Sequence, residues 1–286
     1  MKNTWLLCIA ILLIPCFGRA QANTPLWQTL PLEPPMPKAD QSGLAPVNDI
    51  QLYYAIFNKN GKDPVLLLHG GLSSSDIWGF EVPKLLKTHC VIIVDSRGHG
   101  RSTMSDQPMS YSLMSADILG LMDFLHLKTA SIVGWSDGGI IGLDLAIHHP
   151  DRIYKLFTFG ANYDTTGYKP VPSDTSTATL FRSRVAANYR RLSPTPDSLV
   201  KLKKALGSLY SREPMFTAAE LKTIKAPTVI AYGAYEQFIT PEHFKALAAL
   251  IPNARLVMLP NVSHAGPLQD PDRFHEAVVS LLNAQK

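Results

Sequence analysis

Cysteine is nearly missing from this chain, with three among 286 residues, which excludes a small disulfide-stapled scaffold. Charge is also sparse. Asp, Glu, Lys and Arg together make up 17% and the formal net charge is +4, so no nucleic acid is expected as a partner. No apolar run reaches the roughly 20 residues that a membrane-spanning helix needs. The Cys, His and Asp spacings that hold zinc are missing, and so is a Gly-rich phosphate loop of the P-loop or dinucleotide type. No metal and no cofactor is therefore expected. What is present is a hydrophobic fraction of 46%, well above the disordered range. The length suits one large domain or two small ones, with a sizeable core.

Residues 1–22 read MKNTWLLCIAILLIPCFGRAQA. A positive start at Lys2, a short apolar run broken by Pro15, and the small-residue ending Ala20-Gln21-Ala22 form a secretory signal pattern. An uncleaved membrane anchor is the alternative. Cleavage after Ala22 removes Cys8 and Cys16 and leaves Cys90 as the only thiol, so the mature chain cannot form an internal disulfide. The expectation is an exported protein, periplasmic or secreted, with no stable membrane insertion once the signal is gone. Residues 23–46 contain Pro25, Pro31, Pro34, Pro35, Pro37 and Pro46 and read as an extended leader over the surface or partly disordered.

From residue 47 to 286 the chain reads as one domain. Short apolar runs at 52–57, 65–69, 90–95, 130–134, 154–159, 228–232 and 255–259 predict strands, several of them buried on both faces. Helical patterns fall at 112–125, 138–148, 241–250 and 272–283. This alternation predicts an α/β fold with a mostly parallel central sheet flanked by helices and right-handed crossovers. Functional groups in such sheets gather beyond the carboxyl ends of the strands. One interruption, at about 161–226, carries helical patterns at 178–191 and 196–210 and predicts a small helical cap over the site.

The strongest local signal is Gly134-Trp135-Ser136-Asp137-Gly138, a G-x-S-x-G placed directly after a strand and before a helix. That context is what a nucleophile elbow requires, and Ser136 is the expected nucleophile. A seryl hydroxyl needs a base, and the expected chain order is serine, acid, histidine. His148 and His149 lie at the far end of the elbow's own helix, and His243 and His275 fall in amphipathic helices. His264 stands in a loop after the last strand, on the same rim as Ser136, and is the expected general base and then general acid. Glu236, the only acid in the loop after 228–232, is expected to orient the imidazole. The oxyanion hole is expected from the N–H groups of Asp137 and Gly71, with Leu72 as the neighbouring possibility. Trp135, Trp78 and the 160–227 insert are expected to line the acyl pocket, and Leu72, Trp135 and Asp137 are the expected substrate contacts.

These residues resemble the α/β-hydrolase fold superfamily over about residues 51–284. The resemblance rests on His69-Gly70-Gly71, Asp95-Ser96-Arg97-Gly98-His99-Gly100-Arg101-Ser102, the Ser136 elbow and the His264 loop. The 95–102 segment resembles a structural turn beside the site and receives no chemical role. Gly134 to Gly139 together with Phe159-Gly160-Ala161-Asn162 are similar to the biphenyl-hydrolase-like, valacyclovirase-type esterases. That group carries Asp where this chain has Glu236. The resemblance implies that Asp137 faces the substrate and attracts an ammonium group; a carboxylate favoured by the helix dipole is the alternative. The expected activity is hydrolysis of small carboxylic esters through an acyl-enzyme. An aminopeptidase or amide hydrolase of the same fold, or a weakly catalytic binding protein on this scaffold, are the competing readings.

Overall fold

The computed structural model describes residues 24–170 and 176–284. The expected signal segment, residues 1–22, lies outside the described residues. Eight strands form one sheet: β1 (Gln41–Val47), β2 (Ile50–Phe57), β3 (Val65–Leu68), β4 (Val91–Val94), β5 (Ala130–Trp135), β6 (Ile153–Phe159), β7 (Thr228–Gly233) and β8 (Ala254–Leu259). Their spatial order is β1-β2-β4-β3-β5-β6-β7-β8. The β1–β2 and β2–β4 pairs are antiparallel and every later pair is parallel. Strands β3, β4 and β5 read VLLL, VIIV and ASIVGW and are buried at every position, as parallel strands covered on both faces must be.

Side chains alternate across the strands, and so two cores form. Leu66, Leu68, Ile92 and Ile132 face one core with helices α2 (Tyr111–Phe124), α3 (Asp137–His148) and α7 (Pro241–Leu250). Val65, Leu67, Ile93 and Val133 face the other with α1 (Val82–Leu85), α8 (Gly266–Gln269) and α9 (Pro271–Leu282). The cap expected at about 161–226 falls between β6 and β7, where α4 (Ser176–Leu192), α5 (Leu199–Tyr210) and α6 (Ala218–Leu221) stand. Among the described residues no helix is long and apolar enough to cross a membrane.

Two expectations need correction. The proline-rich leader does not stay irregular to residue 46, because β1 begins at Gln41. Pro46 is tolerated there because β1 lies at the sheet edge, paired on one side only. Asn48 and Asp49, both at positive φ (38° and 64°), form the two-residue turn into β2. Trp78 does not line a pocket. A 3₁₀ segment, Ser75–Phe80, turns it into the second core, where it is 1% exposed and packs near Phe274.

The turn after β4 is fixed by a buried ion pair. Arg97 donates through Nε and Nη2 to the two carboxylate oxygens of Asp117 on α2, at 2.6 and 2.7 Å, and both side chains are 2% exposed. Asn48 adds a bond to Asp117 from the β1–β2 turn. Burial raises the Asp117 carboxyl, and the guanidinium opposes that shift. Replacing Arg97 with Met leaves a buried carboxylate without its counter-charge, which should cost about 3–5 kcal/mol in urea unfolding. The double variant Arg97→Met with Asp117→Leu should recover part of that loss. A single variant as stable as the parent would contradict this role.

Candidate active site

The elbow is built by two buried elements that leave the residue between them little choice. β5 ends at Trp135 and α3 begins at Asp137. Ser136 between them has φ 53° and ψ −119°, a conformation that costs a non-glycine residue of order 1–3 kcal/mol. Its N–H donates to Phe159 C=O at 2.8 Å, and its C=O accepts from the N–H groups of Gly139 and Ile140. The hydroxyl makes no capping bond to the helix it precedes. The turn closes tightly: a Cβ on Gly134 would strike the Gly138 carbonyl, and one on Gly138 would strike the Leu68 carbonyl.

His264 and Glu236 come together. Nδ1 of His264 lies 2.9 and 2.8 Å from the two carboxylate oxygens of Glu236. The glutamate side chain is 1% exposed and the imidazole 13%. Glu236 is fixed in turn by the Phe238 N–H, which donates to Oε1 at 2.8 Å. The His264 N–H donates to Gln237 Oε1, and its carbonyl accepts from the Trp135 indole at 2.7 Å. Trp135, the residue before Ser136, therefore holds the histidine loop directly. Phe238 packs its ring edge-on against the imidazole, 4.8 Å between centroids. Gly160, at φ 67°, leaves the space the imidazole fills. The other histidines are engaged elsewhere: His243 stacks on Tyr163 and accepts its N–H, and His275 bonds Glu81.

The loop after β3 is held by two buried neutral histidines. Nε2 of His69 accepts the Ser96 N–H at 3.0 Å, and Nε2 of His99 accepts the Leu72 N–H at 3.0 Å. Leu72 therefore has no free N–H to offer, and its side chain lines the cavity instead. Burial lowers both imidazoles, that of His99 to about 3. His99 lies in the 95–102 turn, which reads as structural in the sequence, and the Gly-His-Gly run is its local signal.

Asp137 shows a feature absent from the sequence reading. Its carboxylate is buried and accepts from two tyrosine hydroxyls, Tyr111 of α2 at 3.0 Å and Tyr210 at the end of α5 at 2.8 Å. Burial raises its pKa, and the two hydroxyls and the nearby His264 oppose the rise. Tyr210 also lies against Gly71. Gly71, Leu72, Trp135, Ser136, Asp137 and His264 all border one cavity of about 500 Å³, with cap residues on its far side. Trp135 and Asp137, the expected substrate contacts, both line this cavity.

The low His99 value has a consequence for stability. An unfolded histidine takes its proton near pH 6.5, whereas the folded one stays neutral down to about 3. Stability from this group is therefore complete above pH 6.5 and falls with pH below it, by up to about 1.4 kcal/mol per unit. His99→Gln keeps an acceptor for Leu72 but removes the titration. Its unfolding free energy, measured in urea between pH 6 and 4, should fall less steeply than that of the parent. Equal slopes would contradict the assignment.

Comparison with known proteins agrees with this architecture. The sequence profile described as "Alpha/beta hydrolase family" matches residues 65–277. A protein named for carbamate hydrolysis, RutD, from Caulobacter sp. (strain K31) is 28% identical over 267 residues, covering 82% of this chain and 96% of its own. The pimeloyl-[acyl-carrier protein] methyl ester esterase of Edwardsiella ictaluri is 26% identical, covering 79% of this chain and 95% of its own. The crystal structure of the enol-lactonase from Burkholderia xenovorans LB400 superposes with a TM-score of 0.68 at 24% identity, over 84% of this chain and all of that one. The chain is a hydrolytic enzyme and belongs to the alpha/beta hydrolase family.

Proposed function

We propose that this hydrolase is a serine esterase for small carboxylic esters, acting through Ser136, His264 and Glu236. The observation that carries the reading is the carboxylate of Glu236 seated on Nδ1 of His264. That bond leaves Nε2 as the nitrogen to take a proton, and His264 opens onto the same cavity as the strained Ser136. His264 removes the seryl proton as Oγ attacks the ester carbonyl, and Glu236 stabilises the imidazolium that forms. The N–H groups of Gly71 and Asp137 receive the oxyanion. The alkoxide leaves with the proton from His264. Water, deprotonated by the same nitrogen, then hydrolyses the acyl-serine. No cofactor is required for any of these steps.

The cavity suits small esters: most of its exposed surface is apolar, and polar side chains such as Asn162, Lys169, Arg182 and Gln237 stand at its border. The carbamate and methyl ester named for the two relatives both present a carbonyl carbon that this chemistry attacks. The tyrosine pair bears on the substrate. Each Asp137 oxygen already accepts one hydroxyl hydrogen, and we read the carboxylate as a tie from the elbow to α2 and to the cap. We do not assign it the capture of an ammonium group.

Ser136→Ala and Glu236→Gln should each lower kcat on a p-nitrophenyl short-chain ester by roughly 10³-fold or more, with circular dichroism unchanged. Full activity in Ser136→Ala would sink the reading. A second comparison tests Asp137. Matched esters with and without an α-amino group should differ in kcat/KM by less than about threefold, since a good charged contact is worth far more than that. A tenfold or larger advantage for the amino ester would show instead that Asp137 recognises the ammonium.

A further inference from the structure

The residues ahead of the first strand form a strap between the body and the cap. It starts with a 3₁₀ turn at Leu26–Gln28. On the body side, the Gln269 amide nitrogen donates to the carbonyls of Trp27 and Thr29, at 3.2 and 2.7 Å. On the cap side, Arg184 of α4 donates to the carbonyls of Leu30 and Pro31, at 2.5 and 3.0 Å. Between these two anchors Leu30 turns inward and is buried. It borders the substrate cavity, as do Thr177, Ala178 and Phe181 of α4 and Ala265.

The same strap reaches both loops that carry the proposed catalytic groups. The Trp27 ring stacks on Tyr235, the residue before Glu236, at 4.7 Å and 7°. Gln269, which anchors the strap through its nitrogen, accepts through Oε1 from the N–H and hydroxyl of Ser263, the residue before His264. The family profile begins at residue 65, so the strap lies outside the matched part of the chain.

We infer that Leu30 is a specificity-determining residue: a cavity wall supplied by the leader, held by Gln269 and Arg184, that limits the ester group admitted beside Ser136. This inference rests on the esterase reading. A fitted apolar wall discriminates by size, about tenfold or more per methylene where the fit is close. Removing Leu30 enlarges the cavity, enlarging it narrows the cavity, and freeing its anchor lets the wall retreat.

Two ratios of kcat/KM read this out: p-nitrophenyl hexanoate against p-nitrophenyl acetate, and hexyl acetate against ethyl acetate. Leu30→Ala should raise at least one ratio more than about threefold, and Leu30→Trp should lower the same ratio by a similar factor. Arg184→Met, which keeps the leucine but releases its anchor, should move that ratio in the direction of Leu30→Ala. Because each ratio compares two substrates on one enzyme, a loss of folded protein cancels. Ratios unmoved in both Leu30 variants would overturn the inference, and a ratio unmoved in Arg184→Met would overturn the anchoring. A parent chain that hydrolyses none of the four esters would defeat the esterase reading itself; an active parent with unmoved ratios would defeat only this inference.

Discussion

The site depends on a single backbone constraint: Ser136 held at φ 53° between a buried strand and a buried helix. A serine does not adopt that conformation by preference, so the surrounding structure must hold it. It does so from three directions. Phe159 on the neighbouring strand accepts the Ser136 N–H, the first turn of α3 binds its carbonyl, and the packing of Gly138 on the Leu68 carbonyl leaves no room for a relaxed turn. The result is a hydroxyl at the helix start that is excused from capping. The strain is local, whereas the support comes from the centre of the sheet.

From that turn the rest of the site follows by short links. Trp135, immediately before the serine, donates to the His264 carbonyl and so sets the histidine loop relative to the elbow. His264 meets Glu236, and Glu236 is held by the backbone that follows it. Asp137, immediately after the serine, ties the elbow to α2 and the cap through two tyrosine hydroxyls. The loop after β3 is fixed by imidazoles that burial keeps neutral. Neutrality matters, because each imidazole must accept a backbone N–H, which a protonated ring cannot do.

The sequence made the core strands legible because Val, Ile and Leu runs such as VLLL and VIIV leave only one environment open to them. Ser136 was legible from its glycines and its place between strand and helix, and His264 and Glu236 from chain order. The missing pieces share a physical reason. β1 contains Gly43 and Pro46, which argue against a strand except at an edge, and edges are set by topology. Trp78 sits in the second core because the 3₁₀ turn that carries it packs on that face of the sheet, and an apolar aromatic residue alone does not specify the face. Tyr111, Tyr210 and His99 act on groups 26, 73 and 27 residues away, beyond the reach of any local pattern. The strap was invisible because its carbonyls make the bonds, and carbonyls are common to every residue.

The central claim is that Ser136 forms the covalent bond and that His264 with Glu236 makes it able to do so. Intact and peptide mass spectrometry after treatment with a fluorophosphonate reads this directly. One phosphonyl group per chain is expected, on the peptide containing Ser136, in the folded protein and not after unfolding. No adduct in the folded protein, or an adduct on another residue, would contradict it.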